Sequence, residues 1–554
     1  IPFQTLRFKN LDEQTWGLNM GRQVARRREA TFWSPILRNF GYFGKFKVSY
    51  CGHLQGLWNL EQGSRVQIMP YVIGGGLQED RDSAFSRSAD LGLDLKYRLT
   101  SNMTADITVN TDFAQVEADQ EQFNLTRFSL FFPEKRGFFL EGADIFRVGE
   151  KFRPFEPQAS LLFFSRTIGL SGDGKVIPVM GGIRVTGKTG LFDFGILNIL
   201  TDRLTYGTGE DLSHIERTNF SVFRLKRAVF QKSAFGIMLL SKDSLDGPDY
   251  NRGAALDFNL AFGRSLKIEG FAAKTFSPDM KEKDYAANID ISWDSDLLGF
   301  MLSYTDIGEN FNAEMGFIPR TDIRKYRGKV SIGPRPKFLN LRKSVFLYNL
   351  NYIEDHSGRL ESRNDMLGVF NLFQNGSSFF FGYIRNYEYL ADGFEIRANV
   401  LIHRGGHRFN MFMGFYESDH SKKISIRAET NIGQFYNGRL FRVSATAGLK
   451  LNKHLNLECI FNRNGFDLPV AEGKFATNIA AARIVYSFSP GLFAKAYLQY
   501  NDNDDKLTAN FLVRWIYKPG ANVYLIYNET REVGIHHLIH DRVLMLKVSF
   551  LFNL

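Results

Sequence analysis

The 554-residue sequence predicts an all-β fold, a large transmembrane antiparallel β-barrel of about 26 strands with one segment folded into its lumen. Three observations carry that expectation. The composition holds 53 Phe, 22 Tyr and 50 Gly against only 15 Pro, which suits many strands joined by tight turns. Segments of about ten residues alternate in polarity along most of the chain. Short turns and longer polar connections take turns in joining them.

Composition also excludes other classes. With 44% hydrophobic and 23% charged residues the chain is neither a disordered tail nor a collagen-like repeat. No apolar run reaches the 18 or more residues of a transmembrane helix. The formal charge is +10, but no basic cluster interleaves with aromatics, so nucleic acid is not an expected partner. Two cysteines, Cys51 and Cys459, support neither a disulfide framework nor a cysteine-based zinc site, and they leave the redox compartment undecided. No signal peptide is visible before Ile1, and the chain reads as a mature or trimmed product. Length alone would suggest three or four domains, whereas continuous alternation predicts one.

In chain order, residues 1–63 read as a periplasmic segment, and 64–554 as the barrel. Within the first segment Arg22, Arg26, Arg27 and Arg28 form a basic patch suited to lipid phosphate or to a solvated face. In the barrel Leu256, Phe258, Leu260 and Phe262 alternate with Asp257, Asn259 and Ala261. Ile289, Ile291 and Trp293 alternate with Asn288, Asp290 and Ser292, and Tyr326, Val330 and Ile332 with Arg327, Lys329 and Ser331. Phe511, Val513, Trp515 and Tyr517 alternate with Asn510, Leu512, Arg514 and Ile516. A strand points successive side chains to opposite faces, so each segment has one apolar and one more polar face.

Short turns are expected at 187–190, 263–265, 294–296, 374–377, 489–491 and 518–520, all at one end of the barrel. Longer polar connections are expected at 201–217, 242–252, 306–324 and 463–474. Aromatics crowd the strand ends, as an interfacial girdle requires. The defensible count is roughly 22 to 26 strands, even in number, and so wide a lumen must be plugged or conduct. A soluble sandwich or propeller is the alternative all-β reading. At the end of the chain Leu546, Val548, Phe550, Phe552 and Leu554 alternate to the last residue. They resemble the C-terminal strand signal of bacterial outer-membrane proteins, with Leu554 in the place usually held by Phe or Trp. That resemblance implies the barrel assembly machinery as a partner during biogenesis.

Residues 112–146 break the pattern. Acidic Asp112, Glu117, Asp119 and Glu121 precede Phe128, Phe131, Phe132, Pro133, Glu134, Lys135 and Arg136, then Phe138, Phe139 and Glu141. Pro133 interrupts regular structure, and an irregular backbone of this kind needs protein or water as its partner rather than lipid. The segment is therefore expected inside the lumen as a plug or constriction.

The run D-F-x-Q-V-E-A-D from Asp112, followed by N-L-T-R-F-x-L-F-F-P-E-K-R-x-F-F-L-E-G-A-D-I-F from Asn124, resembles a family of Bacteroidetes-type outer-membrane β-barrel proteins. The similarity continues through Ser160–Arg166 and Gly181-Gly182. In that family the barrel follows a periplasmic β-sandwich related to carbohydrate-binding family 9. The resemblance implies that 1–63 are the remnant of that sandwich or a linker from it. It implies an outer-membrane location in a Gram-negative bacterium and no particular reaction.

Candidate sites are few. Asp112, Glu117, Asp119 and Glu121 offer hard oxygen ligands for Ca²⁺, though without the Gly-centred loop of a specific calcium motif. The alternative is that they pair with Arg127, Lys135 and Arg136, and no other cofactor is expected. His536, His537, His540 and Asp541 would suit zinc only on a helix, which is not expected between the last strands. His403 and His407 read as a loop tip. Cys51-Gly52-His53 lacks a demonstrable base, and no G-x-S-x-G elbow or S-x-x-K set is present. The expected function is non-enzymatic, the transport or assembly of material at the outer membrane within a complex. Outer-membrane lipid, lipopolysaccharide and outer-membrane or periplasmic proteins are the expected partners. A sealed scaffold barrel is one alternative, and a surface glycan hydrolase or glycan-binding protein is another.

Overall fold

The computed structural model describes all residues except 1–2, 4–5, 7, 9–10, 25–28, 37–44, 47, 49–50, 79–83, 112–121, 151–159, 173, 208–211, 231, 279, 281 and 534–538. Its main body is a closed antiparallel barrel of 24 strands, running from Val66–Gln78 to Ile539–Ser549, each paired with its neighbour in sequence. The ring closes through Arg542↔Gln78 to Ser549↔Tyr71. The count lies within the expected range and below the roughly 26 strands that alternation suggested. Two short hairpins, Leu204–Tyr206 with Ser213–Ile215 and Phe394–Arg397 with Val400–Ile402, pair only with themselves outside the ring. Alternation alone does not separate such a hairpin from a wall strand.

The outer face is apolar because of the period-two pattern. Leu256, Ile289, Leu302, Val330, Leu367 and Trp515 are exposed. Their sequence neighbours Ala255, Asn288, Asp290, Ser303 and Met366 are buried on the lumen side. Aromatic rings mark both ends of this belt. Tyr326 lies opposite Tyr304 and Tyr352, with ring centroids 5.1 and 6.0 Å away. At the other end Tyr517 sits 5.8 Å from Trp515 and 6.5 Å from Phe550. No helix among the described residues is long and apolar enough to cross a membrane. A closed sheet satisfies its own backbone and so crosses with strands. The molecule is a transmembrane barrel of the kind found in the outer membrane of Gram-negative bacteria.

Connections at one end are short, among them 101–102, 190–191, 263–265, 295–297, 490–491 and 519–520. In outer-membrane barrels this is the periplasmic end. The opposite, outer end carries 110–178, 202–217, 308–322 and 391–404. Not every outer connection is long: Tyr436 and Asn437 alone join Ile424–Phe435 to Gly438–Lys450. The last strand also differs from unbroken alternation. Its ladder stops at Ser549 and resumes at Phe552–Asn553 against Ile68 and Gln67. Opposite the gap stands Pro70, which has no N–H to donate; its carbonyl accepts from the Phe550 amide at 3.0 Å.

Ahead of the barrel, Glu13–Leu18 pairs with Gly52–Trp58 and Gly21–Val24 with Glu29–Phe32. The first wall strand begins at Val66. Between Val109 and Val179 the chain leaves the wall, and its described parts pack against the inner face of the strands from Val179 to Asp355. Phe139, Phe146, Val148, Leu162 and Ile168 of this segment join Leu197, Ile199, Phe220, Val222 and Met238 of the wall in the main core. A second cluster joins Phe123 and Leu125 to Leu390, Phe409, Phe435 and Phe466 further round.

Candidate functional site

The lumen segment is irregular because Pro133 and its charged neighbours satisfy one another locally. The Glu134 carboxylate accepts from the backbone N–H groups of Lys135 and Arg136 (both 2.9 Å), from Arg136 Nε (2.8 Å) and Nη2 (2.7 Å), and from Ser165 Oγ (2.7 Å). Burial pushes this carboxyl up, but the bonds from Arg136 outweigh it and hold it below the usual range. Arg136, itself buried, also donates to the carbonyls of Ile168 and Ser165 (both 2.7 Å) and lies 4.3 Å over the Phe139 ring. The Pro133 carbonyl accepts from Arg166 at 3.2 Å, and Arg166 stands 5.7 Å over Phe132. Lys135 is half-buried.

Wall side chains hold this knot in place. Arg184 is paired with Asp106 at 2.7 Å and donates to the Phe138 carbonyl, with its guanidinium 5.0 Å over the Phe138 ring. Glu141 bonds Lys96 at 2.5 Å. Arg224, only 2% exposed, grips Asp257 through two bonds of 2.6 and 2.9 Å and donates to the Ile145 carbonyl at 3.1 Å. Phe131 packs on Phe164 (4.9 Å) and Phe317 (5.3 Å), and Phe317 belongs to 308–322, an outer connection that folds inward. A backbone bridge between Leu161 and Phe317 ties the two together.

Glu150 is the most buried charged residue among the described residues. It receives Lys325 Nζ at 2.7 Å, Thr305 Oγ1 at 2.9 Å and the Ser160 N–H at 3.0 Å, with Arg327 Nη2 at 3.2 Å. Burial alone would push it up; Lys325 and Arg327 overcome that and hold its carboxyl down at about 2. Gly149 precedes it with φ +138, pressed against the Ser160 carbonyl so closely that a Cβ would collide there. Sequence reasoning missed Glu150, Asp106, Arg184 and Arg224. The available signal was inward-facing Lys325 and Arg327 on one strand, charges that need a partner once the lumen is filled.

Next to this segment, in the outer half of the lumen, lies a cavity of about 520 Å³. Arg127 and Phe128 of the lumen segment, Arg320 of the inward connection, and Asn351, Asn364, Asn386, Glu388, Tyr436 and Arg442 of the wall line it. Arg320 lies 3.9 Å over the Phe128 ring and Arg127 lies 5.0 Å from it.

Other expected residues fall elsewhere. Asp112, Glu117, Asp119, Glu121, His536 and His537 lie outside the described residues. His540 and Asp541 lie in the last wall strand. His407 is not a loop tip: it is buried in Gly405–Glu417, with Nε2 donating to the His403 carbonyl at 2.9 Å and Nδ1 lying 2.8 Å from Asn437 Oδ1. The two-residue outer turn at 436–437 brings Asn437 over the start of that strand, which draws the ring inward. His53 and Arg22 are exposed. Among the described residues no group of three His, Cys, Asp or Glu side chains is placed to hold a metal ion. Leu546, Phe550, Phe552 and Leu554 are exposed, and Val548 is half-buried.

A family profile described as a domain of unknown function, DUF5916, matches residues 63–180. That stretch covers the first three wall strands and the whole lumen segment. No curated protein matches the chain. Among solved structures, the ferric yersiniabactin uptake receptor FyuA of Yersinia pestis is 8% identical over 91% of this chain and 83% of its own, with a TM-score of 0.41. The siderophore receptor PirA of Acinetobacter baumannii is 9% identical over 91% and 83%, with a TM-score of 0.42. The FrpB iron transporter of Neisseria meningitidis is 12% identical over 68% and 80%, with a TM-score of 0.42.

Proposed function

We propose that the protein is a gated, non-enzymatic passage of the outer membrane whose gate is the lumen segment between Val109 and Val179. One observation carries this reading. Among the described residues the segment packs on the inner face of the wall without joining its ladder, and it is fastened by side-chain contacts to Arg184, Arg224, Lys325 and Arg327. A 24-strand wall is far wider than an anchor needs, since eight strands already close around their own side chains. Side-chain contacts break and reform without unfolding the barrel.

The Bacteroidetes-type resemblance and the reading of 1–63 as the end of a carbohydrate-binding-family-9-like sandwich fit this proposal, with that sandwich at the periplasmic mouth. Lipopolysaccharide at the outer tyrosine belt and partner proteins at the two mouths complete it, and the C-terminal strand is the part the assembly machinery recognises. Asp112, Glu117, Asp119 and Glu121, which open this segment in sequence, are the proposed ligands for Ca²⁺.

The test is permeability in cells. Deleting 122–168 should sensitise a Gram-negative host to a large hydrophilic antibiotic, while the full chain at equal abundance does not. Equal resistance of both strains would contradict the gate.

A further inference from the structure

The cavity in the outer half of the lumen has a charge and hydrogen-bonding pattern that the plug alone does not require. Three guanidiniums, Arg127, Arg320 and Arg442, face one carboxylate, Glu388, across its lining. Lys325 also lines it, but its ammonium is taken up by Glu150 at 2.7 Å. Glu388 is likewise engaged: it accepts from Ser362 Oγ at 2.8 Å, and Ser362 accepts from Arg320 Nη1 at 2.6 Å. Arg127 Nε and Arg442 Nε are buried with no hydrogen-bond partner among the described residues. Unpaired buried donors on charged groups are costly, and an acceptor bound in the cavity would satisfy both.

The wall adds a second pattern. Asn351, Asn364 and Asn386 lie in one register row across three adjacent strands. Asn364 Nδ2 donates to Asn386 Oδ1 at 2.7 Å, while Asn351 Oδ1 is buried without a partner. Amides repeated at the strand spacing of about 4.8 Å present donors and acceptors in turn, which is what a row of hydroxyl groups needs. Phe128 supports the charged side, because its ring lies beneath Arg320 and beside Arg127 and restricts both forks. At about 520 Å³ the space falls within the range of small-molecule sites.

We propose that this cavity binds a small acidic saccharide, a mono- or disaccharide carrying one or two carboxylates. Carboxylate oxygens meet the forks of Arg127, Arg320 and Arg442, for which planar two-point pairing is the favoured geometry. Hydroxyl groups lie along the row Asn351, Asn364, Asn386. The idea that such a ligand is cargo rests on the gated-passage reading above; its binding does not, so a binding failure and a permeability failure are separate results.

Isothermal titration calorimetry on the full chain in detergent tests the site with three probes: digalacturonate, its neutral counterpart digalactose, and inorganic phosphate. Digalacturonate should bind saturably and at least tenfold more tightly than either of the others. Arg442→Gln should weaken it at least tenfold. Asn364→Ala should weaken it severalfold and leave phosphate binding unchanged, which separates hydroxyl recognition from a bare anion site. Heat-modifiable gel migration confirms that each variant barrel is closed. Absence of saturable binding, equal affinity for phosphate or digalactose, or indifference of closed variants to both substitutions would overturn the proposal.

Discussion

Glu150 shows what a single residue does in this lumen. Its carboxylate meets Lys325, Arg327 and Thr305 from two wall strands at once, so it anchors the segment to the barrel. Glu150→Gln leaves the buried Lys325 ammonium without its counter-charge, while Arg327 keeps Asp290 at 3.6 Å, and should cost about 3–5 kcal/mol of the segment's attachment. Protease nicking within 122–168, with the barrel still closed by gel migration, measures it. The pH dependence follows from the same contact. The folded-state pKa lies at about 2, below the ordinary 4.5, so its stabilising effect is complete above 4.5 and is lost as pH falls toward 2. Pepsin nicking of the segment should rise through that window in the wild type. In E150Q it should be high throughout, with no rise of this origin. The sequence marked Arg136 and the phenylalanines as unusual, yet Glu150 carried no local signal, because its cationic partners are 175 and 177 residues away.

At the scale of elements, two pieces of irregular chain lock together. The bridge from Leu161 to Phe317 and the ring cluster of Phe131, Phe164 and Phe317 make 308–322 a brace for the lumen segment. Phe317→Ala should weaken the brace by about 2 kcal/mol, less than a fully buried ring would cost because Phe317 is half-buried. Faster backbone amide exchange at 160–168 and 308–322, with wall strands unchanged, checks it. Gly149→Ala should have a similar local effect, since the Cβ meets the Ser160 carbonyl at a φ that disfavours side chains. Residues 112–146 were legible as an interruption because alternation stops and Pro133 appears there. The inward course of 308–322 was not, since a polar loop reads the same whether it enters the lumen or faces water. The hairpin at 394–402 was hidden for a related reason: its short strands carry wall-like polarity.

For the whole molecule, alternation was the strongest evidence, because a barrel wall between lipid and lumen imposes period two on every strand. It also explains a mean hydropathy of −0.22 in a membrane protein: half of each strand faces lipid and half a polar interior. What the sequence did not reveal is how the interior is filled, which depends on contacts between residues far apart in the chain. The central claim is that the lumen segment closes the passage, and single-channel conductance in planar bilayers tests it most directly. The full chain should give little or no current, and the variant lacking 122–168 should give large, long-lived openings in every inserted barrel. Equal conductance of the two proteins, whether both silent or both open, would contradict the account.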